Sequence, residues 1–306
     1  MDTYILLWIA IFVASLIALL KASDWFVDAS ETIGLSLGIS PFVIGVTIVA
    51  FGTSLPELAS SIVAVVGGES EIVVGNVIGS NVANLCLVLG VVAMVAGTIK
   101  MDFSVLDIDV PVLVASALLL WTFTNDGVIS MLDGALLVGM LVVFLINSFR
   151  THGAEEGVET RAGKRAYLIL VVGAVGVYFG AKYIVESIQH LSEEMGVASG
   201  VIAASAVALG TSLPEVIVSV AAARKGKPGM AVGNVVGSNI FNSFGVMGVP
   251  AFFGEVAVPA EQIAFTLPYM IGVTVLFAFM AAANNVSRWE GVMLLGLYAI
   301  FLVELF

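Results

Sequence analysis

An eight-residue sequence occurs twice in this chain, each time inside an apolar segment. Ala50–Glu57 reads AFGTSLPE and Ala208–Glu215 reads ALGTSLPE, so that seven of the eight residues are identical. A second motif repeats at the same separation, since GNVIGSNVAN begins at Gly75 and GNVVGSNIFN at Gly233 (208 − 50 = 233 − 75 = 158). One constant separation for two motifs predicts that the chain contains two copies of a single structural unit.

The composition places both copies in a membrane. Mean hydropathy is +1.11 and only 11% of the 306 residues are charged, whereas a soluble domain carries about 25%. The net charge of −12, without a basic patch, argues against nucleic acid as a partner. The chain starts with an acidic and not a basic region, so we expect a first transmembrane helix and not a cleaved signal. Apolar runs of the length that crosses a bilayer, about 20 residues, are predicted at 4–33, 41–66, 72–97, 107–124, 128–147, 166–190, 199–223, 230–253, 262–283 and 289–306.

The ten predicted spans divide into two sets of five. Residues 1–149 form the first repeat, with its motif region at 42–90, and residues 166–306 form the second, with its motif region at 200–248. The polar residues 150–165 form a cytoplasmic linker. Because five is odd, the two copies cross the membrane in opposite senses, as in many secondary transporters. The predicted fold class is an all-α polytopic membrane protein with ten transmembrane helices in two inverted five-helix repeats.

The distribution of basic residues indicates the orientation. Of the 11 Lys and Arg residues, all but Lys21 and Lys182 lie in the central linker or at the ends of spans three, seven and nine. These four regions fall on one side of the membrane, which the positive-inside rule identifies as the cytoplasmic side. We therefore expect a multi-pass protein of the cell membrane with both termini outside.

The repeated glutamates are the main candidates for function. Glu57 and Glu215 bring negative charge into a spanning segment, where an ionised carboxylate costs about 2.5–3.5 kcal/mol on insertion scales. No Lys or Arg lies within the motif helices between their ends. The missing positive charge therefore has to come from a bound cation, and two carboxylates match one divalent ion. A structural hydrogen-bonding role is the alternative, but packing does not explain why the same group repeats in both halves.

Further oxygen ligands accompany the two glutamates. Pro56 and Pro214 lack an N–H, so we expect each helix to break or loosen across GTSLP and to free backbone carbonyls. Ca²⁺ takes six to eight oxygen ligands in flexible geometry, whereas Zn²⁺ and Cu²⁺ favour His or Cys, which do not accompany the motifs. Mn²⁺ stays open. The candidate ligands besides the glutamates are Ala50, Thr53, Ser54, Ser80, Asn84, Ala208, Thr211, Ser212, Ser238 and Asn242.

Other motif residues have structural interpretations. The spacing Gly75-x-x-x-Gly79, like its copy in the second repeat, is typical of close helix packing. For the remaining motif asparagines, capping of broken helices is as good an interpretation as ion binding; these are Asn76, Asn81, Asn234 and Asn239. The acidic residues outside the motifs, such as Asp24, Asp28 and Glu31, are interpreted as interfacial or structural.

At these motifs the chain resembles the cation/calcium antiporter superfamily, in particular prokaryotic sodium/calcium exchangers. GTSLPE with GNVIGSN is similar to its first conserved repeat, and GTSLPE with GNVVGSN to its second. The resemblance implies the sodium/calcium exchanger fold, alternating access at a central site and binding of Ca²⁺ and Na⁺ by Glu57, Glu215 and the oxygen ligands above. It also implies Ca²⁺ and Na⁺ as transported ions, no cofactor, no enzymatic activity, and function as a monomer in the lipid bilayer.

Two positions bear on the counter-ion. Proton/calcium exchangers of the superfamily typically carry a glutamate in the second motif, where this chain has Gly79 and Gly237. Potassium-dependent members, and some prokaryotic sodium/calcium exchangers, carry an aspartate at the position of Asn242, so this chain departs from both. The sequence therefore favours Na⁺/Ca²⁺ antiport, with H⁺/Ca²⁺ or Mn²⁺ exchange as the alternative. An ion channel is disfavoured by the inverted halves, and an intramembrane enzyme by the lack of a His or Lys base beside the motif serines.

Overall fold

The computed structural model describes residues 3–100, 109–151, 162–194 and 212–305, and these residues are mainly helical. The helical segments are α1 (Thr3–Ser36), α2 (Pro41–Val66), α3 (Glu71–Ala96), α4 (Asp109–Phe123), α5 (Met131–Thr151), α6 (Lys164–Glu194), α7 (Leu213–Arg224), α8 (Pro228–Phe252), α9 (Gln262–Ala282) and α10 (Arg288–Leu305). Within the described ranges, seven helices are long and apolar enough to cross a membrane, and α4 is a shorter apolar helix. Apart from α7, the helices lie close to the predicted spans, whereas most of the span predicted at 199–223 lies outside the described residues.

Helices α1 and α6 pack side by side through small residues. A Cβ on Gly173 would lie 2.9 Å from the backbone nitrogen of Phe26, and one on Gly180 would lie 2.9 Å from Leu19 Cβ. Gly173 of α6 thus contacts Phe26 of α1, and Gly180 contacts Leu19. Residue numbers increase along α6 in the direction in which they decrease along α1, so the two helices run antiparallel. Much of their remaining surface is exposed apolar side chains, as expected for helices that face lipid.

The start of α2 touches α8 almost backbone to backbone. A Cβ on Gly45 would lie 2.2 Å from the carbonyl oxygen of Met230, and one on Gly237 would lie 2.3 Å from that of Val46. No side chain fits at these positions, so glycine is required for the contact. The packing role predicted for the GxxxG spacing is thus confirmed in α8, where it brings the second motif of one half against the turn that precedes the first motif of the other.

Two short antiparallel ribbons also join the halves. β1 (Ile99–Lys100) pairs with β4 (Asn285–Val286), and β2 (Val128–Ile129) pairs with β3 (Val256–Ala257). In each ribbon a fully buried residue of one half lies opposite a fully buried residue of the other half. These pairs are Ile99 with Val286 and Ile129 with Val256. Contacts between the two halves therefore occur in reciprocal pairs.

The helix that carries Pro56 does not break at GTSLP. The α-helix runs through the proline from Ala50 to Val66, and the loosened part is a π-helical turn at Gly45–Val49, before the motif. The expected break is therefore wrong for the first repeat. In the second repeat the described helix begins at Leu213 with Pro214 in its first turn, a position that needs no N–H.

The acidic residues of α1 pair with the loop after α7. Lys225 Nζ lies 2.8 Å from Asp28 Oδ1 and 3.3 Å from Asp24 Oδ1, and Lys227 Nζ lies 2.6 Å from Glu31 Oε2. The structural interpretation of these three acidic residues is confirmed. The pairs hold the C-terminal half of α1 beside the basic loop of the second repeat.

Candidate functional site

Two buried carboxylates lie at the centre of the described structure. Glu57 on α2 and Glu215 in the first turn of α7 are each only 1% exposed. Among the described residues, neither oxygen of Glu57 has a hydrogen-bond partner, and Glu215 has one for Oε1 only. Among the ion pairs between described residues, none includes either glutamate. A buried carboxylate without a partner is strongly unfavourable, so this arrangement favours a cation.

Hydroxyl groups of the first motif reach residues of the second half. Ser54 Oγ donates to Glu215 Oε1 at 3.4 Å. Thr53 Oγ1 lies 3.4 Å from Ser238 Oγ and also donates to Asn234 Oδ1 at 3.2 Å. These contacts bring α2, α7 and α8 to one place, although the residues concerned are separated by more than 150 positions in the chain.

Two amide side chains are buried without partners near the ends of the second motifs. Asn84 and Asn242 are both 0% exposed, and none of their amide atoms has a hydrogen-bond partner. Each lies in a π-helical turn, Ala83–Val88 in the first half and Asn242–Val246 in the second. Such turns are frequent at functional sites because they redirect side chains and backbone carbonyls. The two amides therefore present free oxygen atoms at equivalent places in the repeats.

Of the remaining five predicted ligands, three lie within the residues that the structure describes and two lie outside them. Ala50, Ser80 and Ser212 are all buried, and Ser212 Oγ has no hydrogen-bond partner. Ala208 and Thr211 lie outside the residues that the structure describes. Every predicted ligand within the described ranges is thus buried, and five of them, Ala50, Thr53, Ser54, Glu215 and Ser238, are in hydrogen-bond contact with another.

Two asparagines have a role that the sequence interpretation missed. Asn76 Nδ2 donates to Ser61 Oγ at 3.1 Å, and Asn234 Nδ2 donates to Ser219 Oγ at 2.9 Å. Both asparagines lie within helices, so the capping interpretation is wrong for them. The same separation relates both pairs (234 − 76 = 219 − 61 = 158), and a search for polar residues repeating at this interval would have found them.

The donor set favours a hard cation. Within the described ranges, no group of three or more His, Cys, Asp or Glu residues could hold a metal ion. The available donors are instead two carboxylates surrounded by hydroxyl and amide oxygens. Ca²⁺ and Na⁺ accept such ligands, whereas metals that need nitrogen or sulfur do not.

Comparison with known proteins agrees with this chemistry. Residues 7–150 and 165–306 match the family described as "Sodium/calcium exchanger protein". The sodium/calcium exchanger MaX1 of Methanosarcina acetivorans is 35% identical, with 97% of each chain covered. The membrane protein MJ0091 of Methanocaldococcus jannaschii is 33% identical, with 98% of this chain and 99% of that protein covered.

The fold gives the same result. A solved structure of the sodium-calcium exchanger NCX_Mj, soaked with Na⁺ and Sr²⁺, has a TM-score of 0.88 to this chain at 32% identity and covers 98% of both. The chain belongs to the sodium/calcium exchanger family, which confirms the resemblance found in its motifs. It is a multi-pass membrane protein and a secondary transporter, not an enzyme, and this family requires no cofactor.

Proposed function

We propose that the protein exchanges Ca²⁺ for Na⁺ across the membrane at a central site built around Glu57 and Glu215. The observation that carries this proposal is the pair of buried carboxylates, each from an equivalent position of a repeat and without a basic partner among the described residues. One Ca²⁺ neutralises both charges, and so do Na⁺ ions at overlapping positions. The relatives named as sodium/calcium exchangers support Na⁺ as the counter-ion.

The other predicted ligands complete the coordination. Ca²⁺ requires six to eight oxygens, of which the two glutamates supply the charged ones. Neutral oxygens come from hydroxyl, amide and backbone carbonyl groups, and the proposed donors are Ala50, Thr53, Ser54, Ser80, Asn84, Ala208, Thr211, Ser212, Ser238 and Asn242. The buried and unpartnered oxygens of Asn84, Asn242 and Ser212 support this assignment. Asn242 is neutral, so the fixed charge of the site comes from the two glutamates alone.

The proposed architecture has ten transmembrane helices in two inverted repeats, at 1–149 and 166–306, joined by a cytoplasmic linker at 150–165. The reciprocal contacts between the halves support it. Gly90 of the first half lies against Gly291 of the second, and Gly248 of the second half lies against Gly134 of the first. Gly248 follows Gly90 by 158 residues and Gly291 follows Gly134 by 157, so the two contacts join equivalent positions of the repeats. With the basic loops inside, both termini lie outside the cell membrane. Each monomer contains a complete site.

Charge neutralisation explains how the two ion fluxes are coupled. An empty site with two ionised carboxylates is costly to enclose away from water. Loading with one Ca²⁺ or with Na⁺ removes this barrier, so the access of the site changes from one side to the other only when it is occupied. Alternating access by the loaded protein gives exchange without a leak.

Transport by purified protein in liposomes tests the proposal. An outward Na⁺ gradient is expected to drive ⁴⁵Ca²⁺ uptake, and Glu57→Gln or Glu215→Gln is expected to abolish it because each removes one of the two charges that hold the ion. Glu186→Gln is the control, since that carboxylate is partly exposed and pairs with Lys182 at 3.6 Å. Uptake that depends on a pH gradient and not on Na⁺ would refute Na⁺ coupling and favour H⁺/Ca²⁺ exchange. Competition by Mn²⁺ measures selectivity.

A further inference from the structure

The side chain of Asn234 connects three hydroxyl groups beside the two glutamates. Its Nδ2 donates to Ser219 Oγ at 2.9 Å, and its Oδ1 accepts from Thr53 Oγ1 at 3.2 Å and from Ser238 Oγ at 3.5 Å. Asn234 itself is fully buried. Thr53 and Ser238 are proposed ion ligands, whereas Asn234 is not.

The direction of these hydrogen bonds determines what the hydroxyl groups offer to an ion. A hydroxyl has one hydrogen and two lone pairs. The Thr53 hydroxyl has two acceptors within reach, Asn234 Oδ1 at 3.2 Å and Ala50 O at 3.3 Å. When Thr53 and Ser238 donate their hydrogens to Asn234 Oδ1, their lone pairs stay available for a cation. If the amide were reversed, Nδ2 would donate to Thr53 Oγ1 and Ser238 Oγ. These hydrogen bonds would occupy lone pairs that a cation needs, and the hydroxyl hydrogens would have to point in other directions.

The Asn234 amide has the same orientation as its counterpart in the first repeat. Ser219 on α7 accepts the Nδ2 hydrogen, which leaves Oδ1 facing the hydroxyls. In the first repeat, Asn76 Nδ2 likewise donates to Ser61 Oγ at 3.1 Å, the position equivalent to Ser219. Both amides therefore direct their nitrogen to the serine of the glutamate helix and leave their oxygen for other groups.

We propose that Asn234 is a positioning residue of the ion site, holding the hydroxyls of Thr53 and Ser238 with their lone pairs toward the transported cation. This inference rests on the proposed function, because it assumes that these hydroxyls bind the ion. Groups that orient the ligands of a metal typically change its affinity by about 10–100-fold when they are replaced.

The test compares Asn234 on α8 with a buried polar residue on α9. Asn234→Leu keeps a similar volume but removes the acceptor, so the Ca²⁺ concentration for half-maximal Na⁺-driven uptake is expected to rise about 10–100-fold. The rate at saturating Ca²⁺ should change much less. Thr274→Val is the matched control: Thr274 is 2% exposed, and its Oγ1 donates to Met270 O of its own helix at 2.7 Å. Its replacement is expected to leave the Ca²⁺ dependence unchanged.

A double-mutant cycle separates positioning from general damage to the helix. With Thr53→Val as background, one held hydroxyl is already absent, so the fold-change caused by Asn234→Leu should be at least about 2-fold smaller. Full additivity, or the same Ca²⁺ dependence for Asn234→Leu and Thr274→Val, would overturn the positioning role. If Asn234→Leu does not fold, Ser219→Ala replaces it in the test, with an expected loss of several-fold in apparent affinity, and no loss would overturn the role. A wild-type protein without Na⁺-driven uptake would instead refute the proposed function.

Discussion

Replacing Gly237 with alanine is predicted to force α8 away from α2. The new Cβ would lie 2.3 Å from Val46 O and 2.6 Å from Val46 Cα. Both atoms belong to the backbone, which cannot rotate aside as the end of a side chain can. Ordinary contact begins at 3.4 Å, so the helices must separate by about 1.1 Å (3.4 − 2.3). Overpacking of this kind typically costs about 1–3 kcal/mol, and occasionally more.

The same displacement reaches the ion site. Ser238 follows Gly237 directly, and its Oγ lies 3.4 Å from Thr53 Oγ1. An increase of about 1 Å exceeds the range of a hydrogen bond and separates two proposed ligands. We therefore expect the Ca²⁺ concentration for half-maximal uptake to rise about 10-fold, which corresponds to about 1.4 kcal/mol of binding free energy.

Two measurements on the purified protein check this prediction. The apparent melting temperature in detergent reports the loss of stability, and Na⁺-driven ⁴⁵Ca²⁺ uptake in liposomes reports the apparent affinity. Gly272→Ala on α9 is the control, because a Cβ there has no neighbour within 4 Å in the described part of the chain. If Gly237→Ala matched this control in both measurements, close backbone approach would not be the reason for the glycine.

Three further predictions follow from the site and the ion pairs. Ca²⁺ at 100 times its dissociation constant stabilises the native protein by about 2.7 kcal/mol, so a chelator should lower the melting temperature of the wild type but not of Glu215→Gln. Asn242→Asp adds a third carboxylate to the site and is expected to strengthen Ca²⁺ binding roughly 10-fold; unchanged binding in a calcium titration would contradict the placement of Asn242 among the ligands. Lys227→Gln removes the 2.6 Å contact with Glu31 and should lower stability by about 0.2–1 kcal/mol, a difference that melting curves should no longer show at 1 M salt because the charges are then screened.

The sequence predicted the helices well because the bilayer constrains them. The spans predicted at 41–66 and 262–283 are observed at Pro41–Val66 and Gln262–Ala282. Both boundaries follow from the length needed to cross the membrane and from polar or Gly and Pro residues at the ends. The repeated glutamates were identifiable for a similar reason, since a charge within an apolar span requires a partner and the basic residues lie elsewhere.

Features that depend on contacts between the halves could not be predicted in the same way. The rule for proline within a helix placed a break at Pro56, whereas the helix continues through it and the irregular turn lies at Gly45–Val49. That turn packs against Met230 and Gly233 of the other half, a contact that no local rule contains. The orientation of the Asn234 amide likewise depends on Ser219, Thr53 and Ser238, which only the folded chain brings together.

The two ribbons restrict which parts of the molecule can move during transport. β1–β4 and β2–β3 each hydrogen-bond a strand of one half to a strand of the other, and in the proposed topology they lie on opposite faces of the membrane. Rocking of the halves against each other would strain both ribbons at once. Neither ribbon includes a residue of α1 or α6, which pack mainly on each other through small residues. In the proposed alternating access, moving this helix pair along the core leaves both ribbons intact but requires the ion pairs between α1 and the loop after α7 to break.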